Sequence, residues 1–483
     1  MPTSTTTAPG SAAHITLDYA NCMADRVGAH GLDLALLSSS GSISQSIRTY
    51  TETLAKRRGS GWERWRILAE NPMRDAHVAA IKALVAKHKD AENLVVMGIG
   101  GSALGNIALH SALNSSTHNL QPTGVRKGPR LFVIDNVDPI VFSDVLATIN
   151  TLGGPSKTVF NVISKSGETA ETAAQFMIVR DMLKRALGTS YADRIVAITD
   201  ENKGTMRQIC DRDGYATLPV PDGVGGRFSA LSPVGLFSAA MCGVDIDALL
   251  AGAHDMDVRS SNPDLAANPA ATLAAILCQL GTTKAKPNHV MMAYANGLYL
   301  LADWYRQIWA ESLGKEKNLD GKTVFAGFTP IKALGTTDQH SQVQLYREGP
   351  NDKVMGFLEV ERFDRDVEIP RGMGVDALQY LEGKSMGELL NAEKRATEYA
   401  MNASLRPNYT IRFPSVNAYH VGEFIMLWQI TTAYAGLMLN VDAYDQPAVE
   451  LGKQATFGLM GRAGYESFKI KVDSSLGGVA RVV

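Results

Sequence analysis

Leu94-Val-Val-Met97 runs directly into Gly98-Ile-Gly100-Gly101-Ser102-Ala103, and a helical pattern continues from there to Leu113. A short apolar, β-favouring strand, a tight turn and a helix make the opening of a βαβ unit. The fold follows from that unit. The glycines let the backbone turn sharply and approach a ligand, while the helix N-terminus offers free N–H groups to an anion. Gly98, Gly100 and Ala103 also satisfy a relaxed dinucleotide fingerprint. Asp135, past the next strand, stands where a ribose-binding acid could be, although later than the usual spacing of about 20 residues. An unliganded strand-to-helix turn is the plainer reading, and this motif alone leaves all three open.

Downstream the alternation continues. Leu131–Ile134, Val159–Ile163 and Ile195–Ile198 read as strands. After the third of these four strands, Phe176, Val179, Leu183 and Leu187 form one helical stripe, with Arg180, Lys184 and Arg185 outside it. Strands alternating with helices predict parallel units and a doubly wound α/β sheet. A second unit of the same kind begins after Pro269, with strands at His289–Ala293, Val324–Phe328 and Val354–Val360 and a helix from Leu298 to Leu313. The polar segment Gly243 to Asn268 reads as the connection between them.

Chain length agrees with this division, since 483 residues exceed what one core of roughly 250–300 residues fills. Apolar residues at 45% and charged residues at 20% are ordinary for a globular chain. A formal net charge of −2 gives no global attraction to nucleic acid or anionic lipid, so anion specificity has to be local. Cys22, Cys210, Cys242 and Cys278 lie far apart with no Cys-x-x-Cys pair, which suits buried thiols in a reducing, cytoplasmic setting. Residues 1–13 lack the basic and apolar regions of a secretion signal and read as a disordered tail. Phe424 to Val441 carries Gln429, Thr431, Thr432 and Tyr434 and follows Glu423, which marks a buried core helix rather than a membrane span.

The third strand ends in Ser164-Lys165-Ser166-Gly167-Glu168-Thr169. Hydroxyls, a lysine and a glycine at a strand-to-helix turn can bind a phosphate monoester without metal. Each hydrogen bond to the charged group contributes about 1.5–3 kcal/mol. A capping turn accounts for one or two of the hydroxyls, not for three together with a lysine.

Gly98–Ser102 together with Ser164–Thr169 resembles the sugar-isomerase domain of the glucose-6-phosphate isomerase family. The resemblance continues, in the family's order, through Val224-Gly-Gly-Arg227-Phe-Ser229, Glu311-Ser-Leu-Gly-Lys315, Gly335-Thr-Thr-Asp-Gln-His340-Ser341 and Tyr444-Asp-Gln-Pro-Ala-Val-Glu-Leu-Gly-Lys453. Ala448 departs from the family's usual Gly, a change that a helix's first turn tolerates. The resemblance implies two doubly wound sugar-isomerase domains, 71–242 and 269–440. They are joined by 243–268 and flanked by an N-terminal tail and helical extension, 1–70, and a C-terminal helical extension, 441–483. It further implies a cofactor-free, metal-free isomerase of glucose 6-phosphate and fructose 6-phosphate, acting as a homodimer.

Such an isomerisation needs a base over the carbon chain, a cation near the developing oxyanion and acid–base groups at the ring oxygen. Glu311 follows Trp304 and Ile308 on an apolar helix face and sits in the last turn, where the dipole disfavours an anion. Position alone fits equally a base and a surface carboxylate paired with Lys315 or Lys317; the resemblance selects the C1/C2 base. The resemblance makes Arg227, on a glycine-rich loop ahead of a helix starting at Ser232-Pro233, the cation for the oxyanion. It gives ring opening to His340, delivered from the partner subunit, and to Lys453, which otherwise reads as a snorkelling lysine between Val449 and Phe457. Gly101, Ser102, Ser164, Lys165, Ser166, Thr169, Glu171 and Gln446 match the family's substrate-binding positions. No two of the ten histidines stand at metal-ligand spacing. Competing readings are a nicotinamide-dependent dehydrogenase, a non-catalytic sugar-phosphate sensor, and an isomerase preferring another hexose phosphate such as the mannose compound.

Overall fold

The computed structural model describes residues 14–477, so the tail expected at residues 1–13 lies outside the described residues. Among the described residues twelve strands follow in chain order: β1 (Thr16–Asp18), β2 (Asn93–Met97), β3 (Arg130–Ile134), β4 (Thr158–Ile163), β5 (Ile195–Thr199), β6 (Ala216–Pro219), β7 (Asn288–Ala293), β8 (Lys315–Lys317), β9 (Thr323–Ala326), β10 (Thr329–Leu334), β11 (Lys353–Val360) and β12 (Asn408–Phe413). One sheet runs β3-β2-β4-β5-β6, parallel throughout. The other runs β10-β7-β11-β12-β1, parallel except for β1. The α/β, doubly wound class expected from the alternation is the class observed.

Both faces of each sheet are covered, which is why these strands read as continuous apolar runs. Leu94 and Val96 turn to a core that extends to the second sheet through Met291 and Ala293. Val95 and Met97 face an outer core under the helix Ala170–Leu187, and Val290 and Met292 a third core. In the core that both sheets share lies the helix Ala418–Leu439, buried from His420 to Gly436 on every side. This is the helix expected around Phe424–Val441, and an all-round apolar helix belongs inside a large core. No helix among the described residues is long and apolar enough to cross a membrane.

Three expectations need correction. The strand expected at Val324–Phe328 forms over Thr323–Ala326 but outside the parallel sheet: β9 pairs antiparallel with β8 in a two-stranded hairpin, and the sheet edge is β10. The N-terminal 70 residues are more than a helical extension, because β1 completes the second sheet against β12 (Leu17 opposite Ile411). Three residues cannot show a long-range pairing by their own pattern. The polar segment 243–268 carries a 14-residue helix, Ile246–Arg259, that packs closely against Ala418–Leu439. A Cβ on Gly252 would stand 1.9 Å from Tyr419 O, and one on Gly422 would stand 1.9 Å from Leu249 O, so both helices need glycine at the crossing. The four cysteines are free and buried, and burial pushes Cys210 up to about 11.

Candidate active site

Loops leaving the carboxyl ends of β2, β4 and β5 meet around a cavity of about 620 Å³. This is where open parallel sheets present ligand crevices, beside the strand at which the winding reverses. Ser102, Ser164, Lys165, Ser166 and Thr169 line it, joined by Gln446 and Lys453 from the C-terminal segment.

The turn after β2 begins the helix Gly101–Leu113 with Gly100 at φ 57°, in the left-handed region that glycine occupies without strain. Gly101 is required by a close crossing: a Cβ there would stand 2.2 Å from Gly226 C and O and 2.6 Å from Arg227 N. The loop after β4 is closed by its own serines. Ser164 Oγ accepts from Gly167 N (3.0 Å), and Ser166 Oγ accepts from Glu168 N (3.1 Å). Each hydroxyl proton stays available to donate, and a phosphate oxygen needs donors. The Lys165 ammonium lies 3.7 Å from Asp222 Oδ1 and 5.5 Å from the Trp62 ring centroid.

At the other edge of the cavity stands a charged cluster. Arg227 is buried, at 3% exposure, in a 3-10 turn Gly226–Leu231 that ends the glycine-rich loop. Its guanidinium donates to Ser312 Oγ (2.7 Å), Gln446 Oε1 (2.9 Å), Ala443 O (2.7 Å) and Asp445 O (3.1 Å). Burial lowers its pKa, and the carboxylates of Glu311 and Asp445 oppose that shift. The fifth contact is Glu311, with Arg227 Nη1 at 3.3 Å from Oε1.

Glu311 closes the helix Tyr299–Leu313, behind the buried Trp304 and Ile308, as expected. Its other oxygen, Oε2, accepts from Gln307 Nε2 at 3.0 Å. The anticipated pairing with Lys315 does not occur at the carboxylate: Lys315 Nζ donates to the Glu311 main-chain carbonyl (3.0 Å) and pairs with Asp445 Oδ1 (2.9 Å). The lysine thereby satisfies a helix-end carbonyl and leaves the carboxylate to Arg227 and Gln307.

Lys453 projects from the helix Glu450–Leu459, which continues from a 3-10 turn headed by Pro447. Its ammonium is held by Glu450 Oε1 at 2.7 Å while it lines the cavity. Gly101, Arg227 and Glu311 adjoin the cavity without lining it, Gly101 beside Ser102, Arg227 through its bond to Gln446 and Glu311 through Arg227, and two further expected residues are not brought to it. Glu171 sits in the first turn of Ala170–Leu187 and is absent from the lining. His340 is exposed at the end of the 3-10 turn Thr337–His340, also away from the lining. Sequence reasoning missed Gln307, Asp445, Thr172 and the Asp200–Lys203–Gly204 loop after β5. That loop was visible in principle, since a strand ending in Thr199-Asp200 and reaching Gly204 repeats the pattern that exposed the β4 loop.

A crevice that offers hydroxyls and lysines at one end and a carboxylate fixed beside a guanidinium at the other suits an enzyme that holds an anionic substrate and moves a proton along it. The chain matches the family model described as phosphoglucose isomerase over residues 78–476. It is 48% identical over 379 residues, 78% of this chain and 81% of the relative, to a glucose-6-phosphate isomerase of Carboxydothermus hydrogenoformans. To one of Thermus thermophilus it is 41% identical over 367 residues, 76% of this chain and 83% of the relative. A crystal structure of a hypothetical protein from Thermus thermophilus superposes with a TM-score of 0.79 at 34% identity, covering 92% of this chain and 100% of that one. A glucose-6-phosphate isomerase from Chlamydia trachomatis, at 22% identity and TM-score 0.70 over 88% of this chain and 81% of that one, shares the fold. The chain belongs to the phosphoglucose isomerase family.

Proposed function

We propose that the protein interconverts glucose 6-phosphate and fructose 6-phosphate by moving a proton between C2 and C1 through an enediolate. The observation that carries this is the Glu311 carboxylate, held at one oxygen by Arg227 (3.3 Å) and at the other by Gln307 (3.0 Å) beside a hydroxyl-lined cavity. Ser102, Ser164, Ser166 and Thr169 take the phosphate with Lys165, and the sugar chain lies toward Gln446.

Glu311 removes the proton from one carbon and returns it to the next, so no redox partner enters the balance. Negative charge develops on the enediolate oxygen as the proton leaves. Arg227, already desolvated and fixed by four acceptors besides Glu311, stabilises that charge without reorganising. Ring opening needs a proton taken from one oxygen and given to another, roles that fall to His340 and Lys453. His340 is exposed and outside the cavity of its own chain, which favours its delivery into the cavity of a partner subunit in a homodimer. Glu171 and Gly101 remain part of this reading, Gly101 by admitting the Gly226 crossing. A cytoplasmic setting accords with the four buried thiols.

The test is turnover of fructose 6-phosphate by the purified protein with a chelator present and nicotinamide omitted. Glucose 6-phosphate is the expected product. A folded protein that binds the sugar phosphate and forms no product would leave the sensor reading standing. Faster turnover of mannose 6-phosphate would reassign the substrate.

A further inference from the structure

The two sheets share one wiring. In the first, β2, β3, β4 and β5 stand in the order β3-β2-β4-β5; in the second, β7, β10, β11 and β12 stand as β10-β7-β11-β12. Strand β7 therefore corresponds to β2 and β11 to β4. The cavity described above opens where the chain leaves β2 and β4. At the corresponding place, where the chain leaves β7 and β11, there is a second and larger cavity of about 940 Å³. Asn296 and Gly297 line it after β7, and Arg362 and Arg365 after β11.

The helices that follow β2 and β7 are exchanged between the two places. The helix after β7 carries Gln307 to the turn after β2 that opens the first cavity, where Gln307 Nε2 would stand 3.1 Å from a Cβ on Gly100, and Glu311 to Arg227 beside it. Reciprocally, the helix after β2 carries His110 and Ser111 to the second. There Ser111 Oγ donates to Gly297 O (3.3 Å), and a Cβ on Gly297 would stand 3.2 Å from Ser111 O. The repetition extends from strand order to the contact between each turn and the opposite helix.

The chemistry of the two cavities differs at both ends. In the second no carboxylate stands on the crossing helix: His110 is there, edge-on to His118 at 4.9 Å between ring centroids. Burial pulls His110 down to about 4, so the imidazole facing this cavity is neutral near pH 7. The serine-rich anion loop is replaced by arginine. Arg362 and Arg365 are exposed, and neither guanidinium is engaged by an ion pair or hydrogen bond among the described residues. Asp364 lies between them and is the single carboxylate in the lining. Guanidinium groups match phosphate oxygens in planar, paired geometry.

We propose that this second cavity binds a phosphorylated polyol, with Arg362 and Arg365 on the phosphate and Ser111 and Asn296 on hydroxyls, and binds it without isomerising it. The inference rests on reading the first cavity as a sugar-phosphate site. It accounts for two unpaired guanidinium groups at a crevice that the reaction itself does not use.

Equilibrium dialysis of the full chain with sorbitol 6-phosphate tests this, because a hexitol phosphate has no carbonyl to isomerise. About two equivalents per chain are expected, at two crevices of ligand size. The R362Q/R365Q variant, altered only at exposed positions, should bind about one equivalent and keep turnover of fructose 6-phosphate within about twofold. Ser166→Ala combined with Thr169→Ala should lose the other equivalent. Stoichiometry unchanged by R362Q/R365Q, whether one equivalent or two, would overturn the proposal. If R362Q/R365Q removes an equivalent and the serine–threonine variant removes none, the second cavity stands and the phosphate assignment of the first fails.

Discussion

Arg227 Nη1 stands 3.3 Å from Glu311 Oε1, and the arginine is 2% exposed at its side chain while the glutamate is 27% exposed. The cation is thus the anchored, buried member of the pair and the carboxylate the more exposed one. A permanent charge held by Ser312, Gln446, Ala443 and Asp445 cannot follow the proton, so it is suited to stabilise charge rather than to transfer it.

Replacing Arg227 by lysine keeps the charge but cannot satisfy four acceptors at once. We expect kcat to fall about 10²–10³-fold, the usual loss for one oxyanion donor, with a smaller change in KM. Steady-state kinetics of Arg227→Lys and Arg227→Gln check this. A KM effect alone would mean that the arginine only binds substrate.

The approach of Gly226 to Gly101 leaves no room for a methyl group, with 2.2 Å to a backbone carbon and oxygen. Gly101→Ala should therefore destabilise by about 1–3 kcal/mol, as overpacking does, and lower kcat by shifting Arg227. Thermal unfolding and kinetics on the same preparation separate the two effects.

Ser166 and Thr169 serve the phosphate, away from the reacting carbons. Their alanine variants should each raise KM for fructose 6-phosphate, by about 10-fold or more per lost hydrogen bond of roughly 1.5–3 kcal/mol to a charged group. An unchanged KM in both would remove the phosphate from this loop.

If His340 acts across a dimer, His340→Ala and Glu311→Gln chains should complement one another. Each chain alone is nearly inactive, and random reassociation of the mixture should restore about a quarter of wild-type activity, since half the dimers carry one intact site. No recovery from a verified hybrid would place His340 in its own chain's site, and a His340→Ala chain fully active alone would place it outside the reaction.

His289 gives the fold a pH dependence. It is buried, stacked on Phe328 at 4.5 Å between centroids, and Trp309 Nε1 donates to its Nδ1 at 3.1 Å. Burial pulls it from 6.5 down to about 3, and His110 similarly to about 4. Between those values and 6.5 the unfolded chain takes up protons that the folded chain refuses, so stability is full above that window and falls as pH drops through it. Urea midpoints measured from neutral pH down to about 4 should decline, and His289→Gln should flatten the slope.

The parts of the site built from local pattern were legible in the sequence. Glycines after β2 and hydroxyls after β4 follow directly on apolar runs, whereas the helical stripe placed Glu311 on an apolar face and left its role to the family resemblance. Less visible were contacts that exist only once the chain folds back. Ala443 and Asp445 hold Arg227 through main-chain carbonyls, which no side-chain pattern records. Gln307 is the exception, since it stands one helical turn before Glu311 and its i,i+4 spacing was there to be read. The burial of Arg227 was not legible either, because it depends on acceptors distant in the chain, Ser312 and Gln446. In the fold, β1 was hidden by its brevity. The run at Val324–Phe328 does form a strand, β9, but it serves a hairpin, and the sheet edge lies just beyond it in β10.

Turnover of fructose 6-phosphate in heavy water, by the wild-type chain and by Glu311→Gln, bears on the base itself. The expected result is glucose 6-phosphate carrying deuterium at C2 from the wild type, and a rate lower by about 10²–10⁴-fold or more in the variant. A Glu311→Gln protein that forms the same labelled product at the wild-type rate would contradict the assignment of Glu311 as the base.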